Sequence, residues 1–395
     1  ASAPVTLRPA VDCSHRPTCP GCPRFGESGI GAGAHAALAR MADATGAALL
    51  PVRETDPFGY RHRARLMVRG RARSPKVGIF QAGSHRIAHI PHCRVHHPIV
   101  NRVAAELEAA VRATGCPPYA DGPHRGCVRS LQVVVERASQ RAQVAVVSNT
   151  TSAAEPSALA DLLAMLSERL RAQGLLHSLW WNGNPERTNT ILGPSWELER
   201  VGEGADEAGF AREEIGGASV FFHPGAFGQA HLALAYAIVA RVHAFADSRG
   251  ATRIAEAHAG CGAIGLGLLA RGARVAFNEQ SPFGLAGLER GIAALGAEGR
   301  ARVLPGAAGS CPELLDDAQL AIVDPPRRGL EPELAGAIER SSVGAVAYVS
   351  CDVASRERDF ARGQGHGRLA VASREPFGLF PFTEHAETLA LLEAR

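Results

Sequence analysis

Apolar positions along this chain change their period from one region to the next. From Arg253 onward, short apolar runs alternate with segments of helical spacing. The runs are Arg253–Ala257, Arg274–Asn278, Ala301–Leu304, Leu320–Val323, Val343–Ser350, Leu369–Ser373 and Thr388–Leu392. Between them, Ala263–Ala270 and Pro282–Leu295 carry helical patterns. Short apolar runs bounded by Gly, Pro and Asp read as buried strands, and their alternation with helices predicts a doubly wound, mostly parallel sheet. Upstream, helices are expected at Pro98–Thr114 and Ser157–Gln173, and strands at Leu131–Glu136, Ala142–Ser148, Leu179–Trp181 and Thr188–Leu192. These form an αββαβ block, read as a central α/β domain. A longer helix, Ala230–Ala246, leads from it into the last third. The first 95 residues are rich in Pro, Gly, His and Cys, with one helix-like stretch at Ala34–Thr45. The expected division is therefore 1-95, 96-220 and 221-395, in an α/β chain.

At 395 residues the chain is too long for one compact core, which agrees with two or three domains. A 46% hydrophobic and 5% aromatic composition describes an Ala/Gly/Val-rich globular protein. No segment has the apolar length of a membrane span, and no charged-then-apolar leader opens the sequence, so a cytoplasmic location is expected. Net charge is only +3. Lys76 is the sole lysine, so arginine abundance reflects composition and says little about RNA. Clustering says more: Arg61, Arg63, Arg65, Arg69, Arg71, Arg73 and Lys76 follow one another without an intervening acid. Such a strip is either a solvated strand face or a phosphate-neutralising surface.

Chemistry concentrates in a few places. Nine cysteines in an intracellular chain argue for metal or catalytic roles over disulfides. Cys13, Cys19 and Cys22 crowd the N-terminus, followed by a lone Cys93, while Cys116, Cys127, Cys261 and Cys311 read as small buried hydrophobes. Cys351 ends an apolar run beside the loop Asp324-Pro325-Pro326-Arg327-Arg328-Gly329. A thiolate at the carboxyl edge of such a sheet can add to an electron-poor ring carbon of a flat base. Glu256 to Gly265 follows a strand and opens a helix, with Gly260, Gly262 and Gly265 in a Gly-x-Gly-x-x-Gly pattern. The pattern suits a nucleotide ligand. Glu279, ending the second strand where a carboxylate can take ribose hydroxyls, and the Asp324-Pro325-Pro326 loop favour S-adenosylmethionine over a dinucleotide.

Together these residues make the chain resemble the RNA uridine C5-methyltransferases, specifically the iron–sulfur-containing bacterial type that modifies 23S ribosomal RNA. The resemblance runs through Tyr60 to Arg65, Phe227-Gly228-Gln229, the glycine turn, Asp324 to Gly329, Ser350-Cys351 and His385-Ala386-Glu387. It implies a C-terminal Rossmann-like methyltransferase domain, a central RNA-facing α/β domain and a small N-terminal iron–sulfur domain, without the additional N-terminal β-barrel of some members. It also implies that Cys351 attacks C6 of the uridine, C5 takes the methyl group, and Glu387 removes the C5 proton. Gln229 and Asp324 would sit near cofactor and target base, and Cys13, Cys19, Cys22 and Cys93 would hold a [4Fe-4S] cluster. Arg327 is read as a phosphate or loop anchor.

Several positions depart from the family pattern. Asp352 follows the nucleophile where Asn is usual, His231 replaces an Asn, Gly228 is small, and His258 occupies an aromatic position. The loop Gly306-Ala307-Ala308-Gly309 lacks an acidic residue. The expected activity is uridine C5-methylation in RNA, with 23S rRNA favoured and transfer RNA as the alternative, by a monomer. A catalytically weak homologue acting as an RNA-binding or assembly factor is the competing class, and methylation of a small molecule is a third.

Overall fold

The computed structural model describes residues 12–351 and 368–395. In chain order, α1 (Ala32–Thr45) and β1 (Ala48–Leu49) precede a hairpin of β2 (Arg63–Arg71) and β3 (Ser74–Phe80), then β4 (Ile87–His89). Next come α2 (Pro98–Thr114), β5 (Val128–Glu136), β6 (Arg141–Ser148), α3 (Ser157–Ala172), β7 (Leu176–Gly183) and β8 (Ser195–Val201). A short pair, β9 (Ala211–Ile215) and β10 (Ala218–Phe222), leads to α4 (Leu232–Ser248). The remainder alternates: β11 (Arg253–Ala257), α5 (Gly265–Ala270), β12 (Arg274–Glu279), α6 (Pro282–Ala294), β13 (Ala301–Pro305), β14 (Leu320–Val323), α7 (Pro332–Arg340) and β15 (Ala345–Ser350). Two long strands close the chain, β16 (Leu369–Phe377) and β17 (Glu387–Ala394).

β2 to β8 form one seven-stranded sheet in the order β4-β3-β2-β5-β6-β7-β8. Its pairs are antiparallel except β6 with β7, which α3 joins as a crossover. The apolar positions of β2 alternate, with Ala64, Leu66 and Val68 turned into a core shared with α2 and α3. The helices begin where the sequence allows. Pro98 opens α2 with the His97 ring accepting the Ile99 N–H, and Gly115 closes it in the left-handed region that glycine adopts freely.

This sheet corrects two expectations. Residues 63–89, assigned to the cysteine-rich N-terminal region, supply three of its strands, because the arginines of β2 alternate with buried apolar residues. The strand expected at Thr188–Leu192 is a loop instead. Asn184 Nδ2 donates to the carbonyls of Thr190 (2.8 Å) and Ile191 (3.0 Å), and Asn182 Nδ2 to those of Gly193 and Ser195. These side chains satisfy backbone groups that a ladder would otherwise use, and pairing resumes at β8.

The second sheet has eight strands in the order β1-β16-β17-β15-β14-β11-β12-β13. β11 to β15 run parallel, as the alternating pattern predicts, and apolar layers cover both faces. β17 is antiparallel to both neighbours, and β1 adds a short parallel edge next to β16. Strand order reverses between the parallel neighbours β11 and β14: the connection from β11 leads outward to β12, while β14 leads the other way to β15. A crevice opens at such a switch point, outside the carboxyl ends of the strands.

The two sheets meet around Arg63. Its Nη1 donates to the Ala226 carbonyl at 3.0 Å, and its guanidinium lies 5.8 Å from the Phe222 ring centroid. Burial pushes its pKa down to about 10, so it stays charged at neutral pH. A Cβ on Gly228 would stand 2.9 Å from Arg63 Nη2 and 3.2 Å from the Phe222 ring, which explains the small residue there. Arg63→Ala should lower the unfolding free energy by about 1–3 kcal/mol, since it strands a buried carbonyl. Urea denaturation of the purified protein reads this directly, and an unchanged midpoint and slope would contradict it.

Candidate active site

Three loops leave the carboxyl edge of the eight-stranded sheet side by side, after β11, β14 and β15. The first is the glycine turn. Ala259 N–H donates to the Asn278 carbonyl and Gly262 N–H to the Ala259 carbonyl, folding the chain back toward α5. His258, Gly260 and Gly262 all have positive φ (57°, 56° and 79°). At Gly262 a side chain is also excluded by Leu288 Cδ1, which would lie 2.6 Å from a Cβ.

Two carboxylates brace this turn. Glu279 accepts the Gly260 N–H at 2.7 Å and the N–H groups of Gln280 (2.9 Å) and Ser281 (2.6 Å). Glu256, buried beneath the turn, accepts the Gly265 N–H at 2.8 Å. Burial, opposed by that hydrogen bond and reinforced by the charges of Asp324 and Glu279, pushes its pKa up to about 8. Glu256 therefore carries a proton at neutral pH.

Gln229, Gly260 and Asp324 line one cavity of about 90 Å³, together with Phe227, Tyr236 and Glu256. The volume is well below a cofactor-sized site of roughly 300 Å³ or more, so the cavity forms only the inner part of a ligand cleft. Gly262 and Glu279 do not line it; they shape the turn from behind. Phe227 is 68% exposed at its rim, the exposed large apolar side chain among the described residues. Its position in Phe227-Gly228-Gln229 was visible in the sequence, but its exposure was not.

Cys351 follows β15 immediately and is half-buried. Burial raises its thiol pKa first, then the charges of Glu387 and Asp324; Arg327 opposes them with its charge and a side-chain hydrogen bond. Glu387 reaches this thiol because β17 runs antiparallel to β15, pairing Thr388 with Ser350. Its first residue is therefore set opposite the end of β15. The Thr388 hydroxyl fixes that register by donating to the Ser350 carbonyl at 3.1 Å. Asp324 belongs to both groupings: it lines the cavity and acts on the thiol, with its own pKa pushed up to about 6 by burial. Arg327 stands beside the Cys351 thiol, a placement its sequence context did not reveal. Asp352 lies outside the described residues.

Tyr60 and His231 support the cavity loop. Their rings stack at 4.4 Å, and Thr55 Oγ1 lies 3.0 Å from His231 Nε2. Burial lowers the His231 pKa to about 4, so the imidazole is neutral. His62 N–H donates to the Ala230 carbonyl at 3.0 Å. Thus Tyr60, His62 and Arg63 all hold the segment 226–231 that carries Gln229.

The four N-terminal cysteines gather in one half-buried neighbourhood. Burial raises Cys22 to about 12, followed in effect by Cys93, Cys19 and Cys13, and Cys93 in turn responds to Cys19 and Cys13. Yet among the described residues no group of three or more His, Cys, Asp or Glu is arranged to hold a metal ion. The four thiols expected to hold a [4Fe-4S] cluster are therefore electrostatic neighbours without the arrangement of a metal centre among the described residues. Four thiols are donors of the type that thiolate-bound metals take.

A switch-point crevice with a glycine turn, edged by a thiol and carboxylates, gives this chain a Rossmann-like α/β architecture. Comparison with known proteins narrows the class. No family model matches the sequence. The chain is 32% identical over 341 residues to an uncharacterized RNA methyltransferase of Protochlamydia amoebophila, covering 85% of this chain and 86% of that protein. It is also 32% identical over 342 residues to an uncharacterized RNA methyltransferase of Gloeobacter violaceus, covering 85% and 71%. The chain belongs to this RNA methyltransferase family. In fold it matches the tRNA (uracil-54, C5)-methyltransferase of Pyrococcus abyssi, solved with S-adenosyl-L-homocysteine. The TM-score is 0.72 at 20% identity, over 95% of this chain and 86% of that one.

The charges around Cys351 make a directional prediction. Replacing Glu387 by Gln removes a negative charge that raises the thiol pKa, so more thiolate exists at a given pH. Iodoacetamide should then modify Cys351 faster in Glu387→Gln than in the parent at pH 8, followed by peptide mass spectrometry. A slower or equal rate would show that the carboxylate does not act on the sulfur.

Proposed function

We propose that this RNA methyltransferase modifies C5 of a uridine, using S-adenosylmethionine as donor and Cys351 as a covalent nucleophile. The observation that carries the reading is the sharing of Asp324. One carboxylate lines the cavity beside Gly260 and Gln229 and also acts on the thiol of Cys351. Methyl donor and nucleophile would then flank a single base held between them. The donor, when bound in the crevice, supplies an electrophilic methyl group.

The chain's own residues supply the rest. Arg327, hydrogen-bonded to Cys351, offsets Glu387 and Asp324 and favours the thiolate. Addition of that thiolate to C6 pushes electron density onto C5, which is otherwise too weak a nucleophile to take a methyl group. Once C5 carried the methyl group that the donor would give up, leaving as S-adenosylhomocysteine, Glu387 would remove the C5 proton, the electron pair would restore the C5–C6 double bond, and the Cys351 sulfur would leave. Gln229 and Asp324 offer an amide and a carboxyl to the polar edge of the base. Gly260, in the cavity wall, lets the backbone approach the donor, while Gly262 and Glu279 hold the turn in shape behind it.

RNA approach is assigned to the seven-stranded sheet and the exposed ends of the basic strip. Arg63 and Arg69 are committed internally, Arg69 to Asp121 at 2.7 and 2.9 Å. Arg71, Arg73 and Lys76 are exposed at the β2–β3 hairpin and are free to meet phosphate. Among the described residues no helix is long and apolar enough to cross a membrane. We assign 23S rRNA as the target ahead of transfer RNA, on the four converging thiols and the family resemblance.

The deciding experiment is covalent trapping. RNA containing 5-fluorouridine has no removable proton at C5, so an active enzyme should stall as a gel-stable adduct. Cys351→Ala should form none, and Glu387→Gln should methylate ordinary RNA at least about 100-fold more slowly. A parent protein that traps no ribosomal or transfer RNA would instead be an RNA-binding homologue. Cys13, Cys19, Cys22 and Cys93 are the residues that would hold a [4Fe-4S] group. Anaerobically purified protein should contain about four iron atoms per chain, and Cys19→Ser should lose them. Stoichiometric zinc would refute the iron assignment.

A further inference from the structure

His258 occupies an unusual place. It is a non-glycine residue held at φ 57° inside the glycine turn, a backbone region that costs about 1–3 kcal/mol for most side chains. Its ring, largely buried, reaches across the crevice: Nε2 lies 3.1 Å from Glu331 Oε2 and 3.5 Å from Oε1. Glu331 is the N-cap residue of α7 and ends the loop that starts at Asp324. It is itself largely buried and also meets Arg328 Nη2 at 3.5 Å. A single side-chain pair therefore joins the turn after β11 to the loop after β14, across the switch point. His258 lines the cavity beside Gly260 and Asp324.

We propose that His258 and Glu331 are a positioning pair that sets the width of the donor crevice and the placement of the Asp324–Arg328 loop. The inference rests on the methyl-transfer reading and adds to it two residues that touch neither the base nor the sulfur. Both walls of the crevice are loops, and loops keep a fixed separation only when something bridges them. The strained φ at His258 is the local cost of aiming the imidazole at Glu331. Arg327, four residues before Glu331, acts on Cys351, so the same bridge also steadies the charge beside the nucleophile.

The test uses the full chain and S-adenosylhomocysteine titrated by calorimetry. His258→Asn keeps a residue that tolerates positive φ while removing the reach to Glu331. His258→Asn and Glu331→Ala should each weaken binding about tenfold, and the double variant should be no weaker than either alone, as expected for partners in one interaction. Glu331→Gln retains an acceptor for the imidazole N–H and should bind within about twofold of the parent. RNA affinity by fluorescence anisotropy should stay unchanged in all four variants, which separates loss of the pair from loss of the fold. Parental binding in the single variants, or additive losses in the double, would overturn the pair. A parent that binds no S-adenosylhomocysteine would instead overturn the methyl-transfer reading, and the pair with it.

Discussion

Running β17 antiparallel between β15 and β16 puts its first residue, rather than its last, at the carboxyl edge where Cys351 emerges. Were β17 parallel to β15, Glu387 would stand at the far edge of the sheet and could not reach the sulfur. The reversal therefore creates the local electrostatics as well as the topology. A half-buried thiol is surrounded by Glu387 and Asp324, both of which disfavour its ionisation, and by Arg327, which favours it. In this balance burial and the two acids together outweigh the arginine, and the thiol is held toward its protonated form.

Three of the seven basic residues in the strip, Arg63, Arg65 and Arg69, have a structural use. Arg63 is spent on the Ala226 carbonyl, Arg65 on Gln132 at 2.7 Å, and Arg69 on Asp121. Arg69 also lies 5.2 Å from the Tyr119 ring, with Arg129 at 4.6 Å from the same ring. Planar guanidinium groups suit these jobs because they satisfy several acceptors while stacking on aromatic faces. Of these contacts, the one from Arg63 reaches across to the segment bearing Phe227 and Gln229, while the others brace the seven-stranded sheet itself.

The acids follow a similar logic. Asp324 and Glu279 lie close enough to Glu256 to raise its proton affinity, on top of the larger effect of burial. Glu279 is held by three backbone N–H donors, whereas Glu256 keeps its proton. Burial pushes the Asp324 carboxyl up to about 6.

Local pattern alone determined most of the elements here. α2, β11 and β14 fall at the residues expected, because proline and glycine punctuation and apolar period act over a few positions. The glycine turn, the Asp324 loop and Cys351 were also legible, since each is a contiguous motif. Other features depended on partners distant in sequence. The strands of residues 63–89 needed the apolar faces of α2 and α3 to show which side of an arginine-rich segment was buried. Arg327 acquired its part beside the sulfur, and His258 its bond to Glu331, only when β14 lay between β11 and β15. Glu387 became meaningful only through strand direction. Side-chain chemistry is written residue by residue, but which groups share a crevice is set by sheet order and direction, and those arise from packing the whole chain at once.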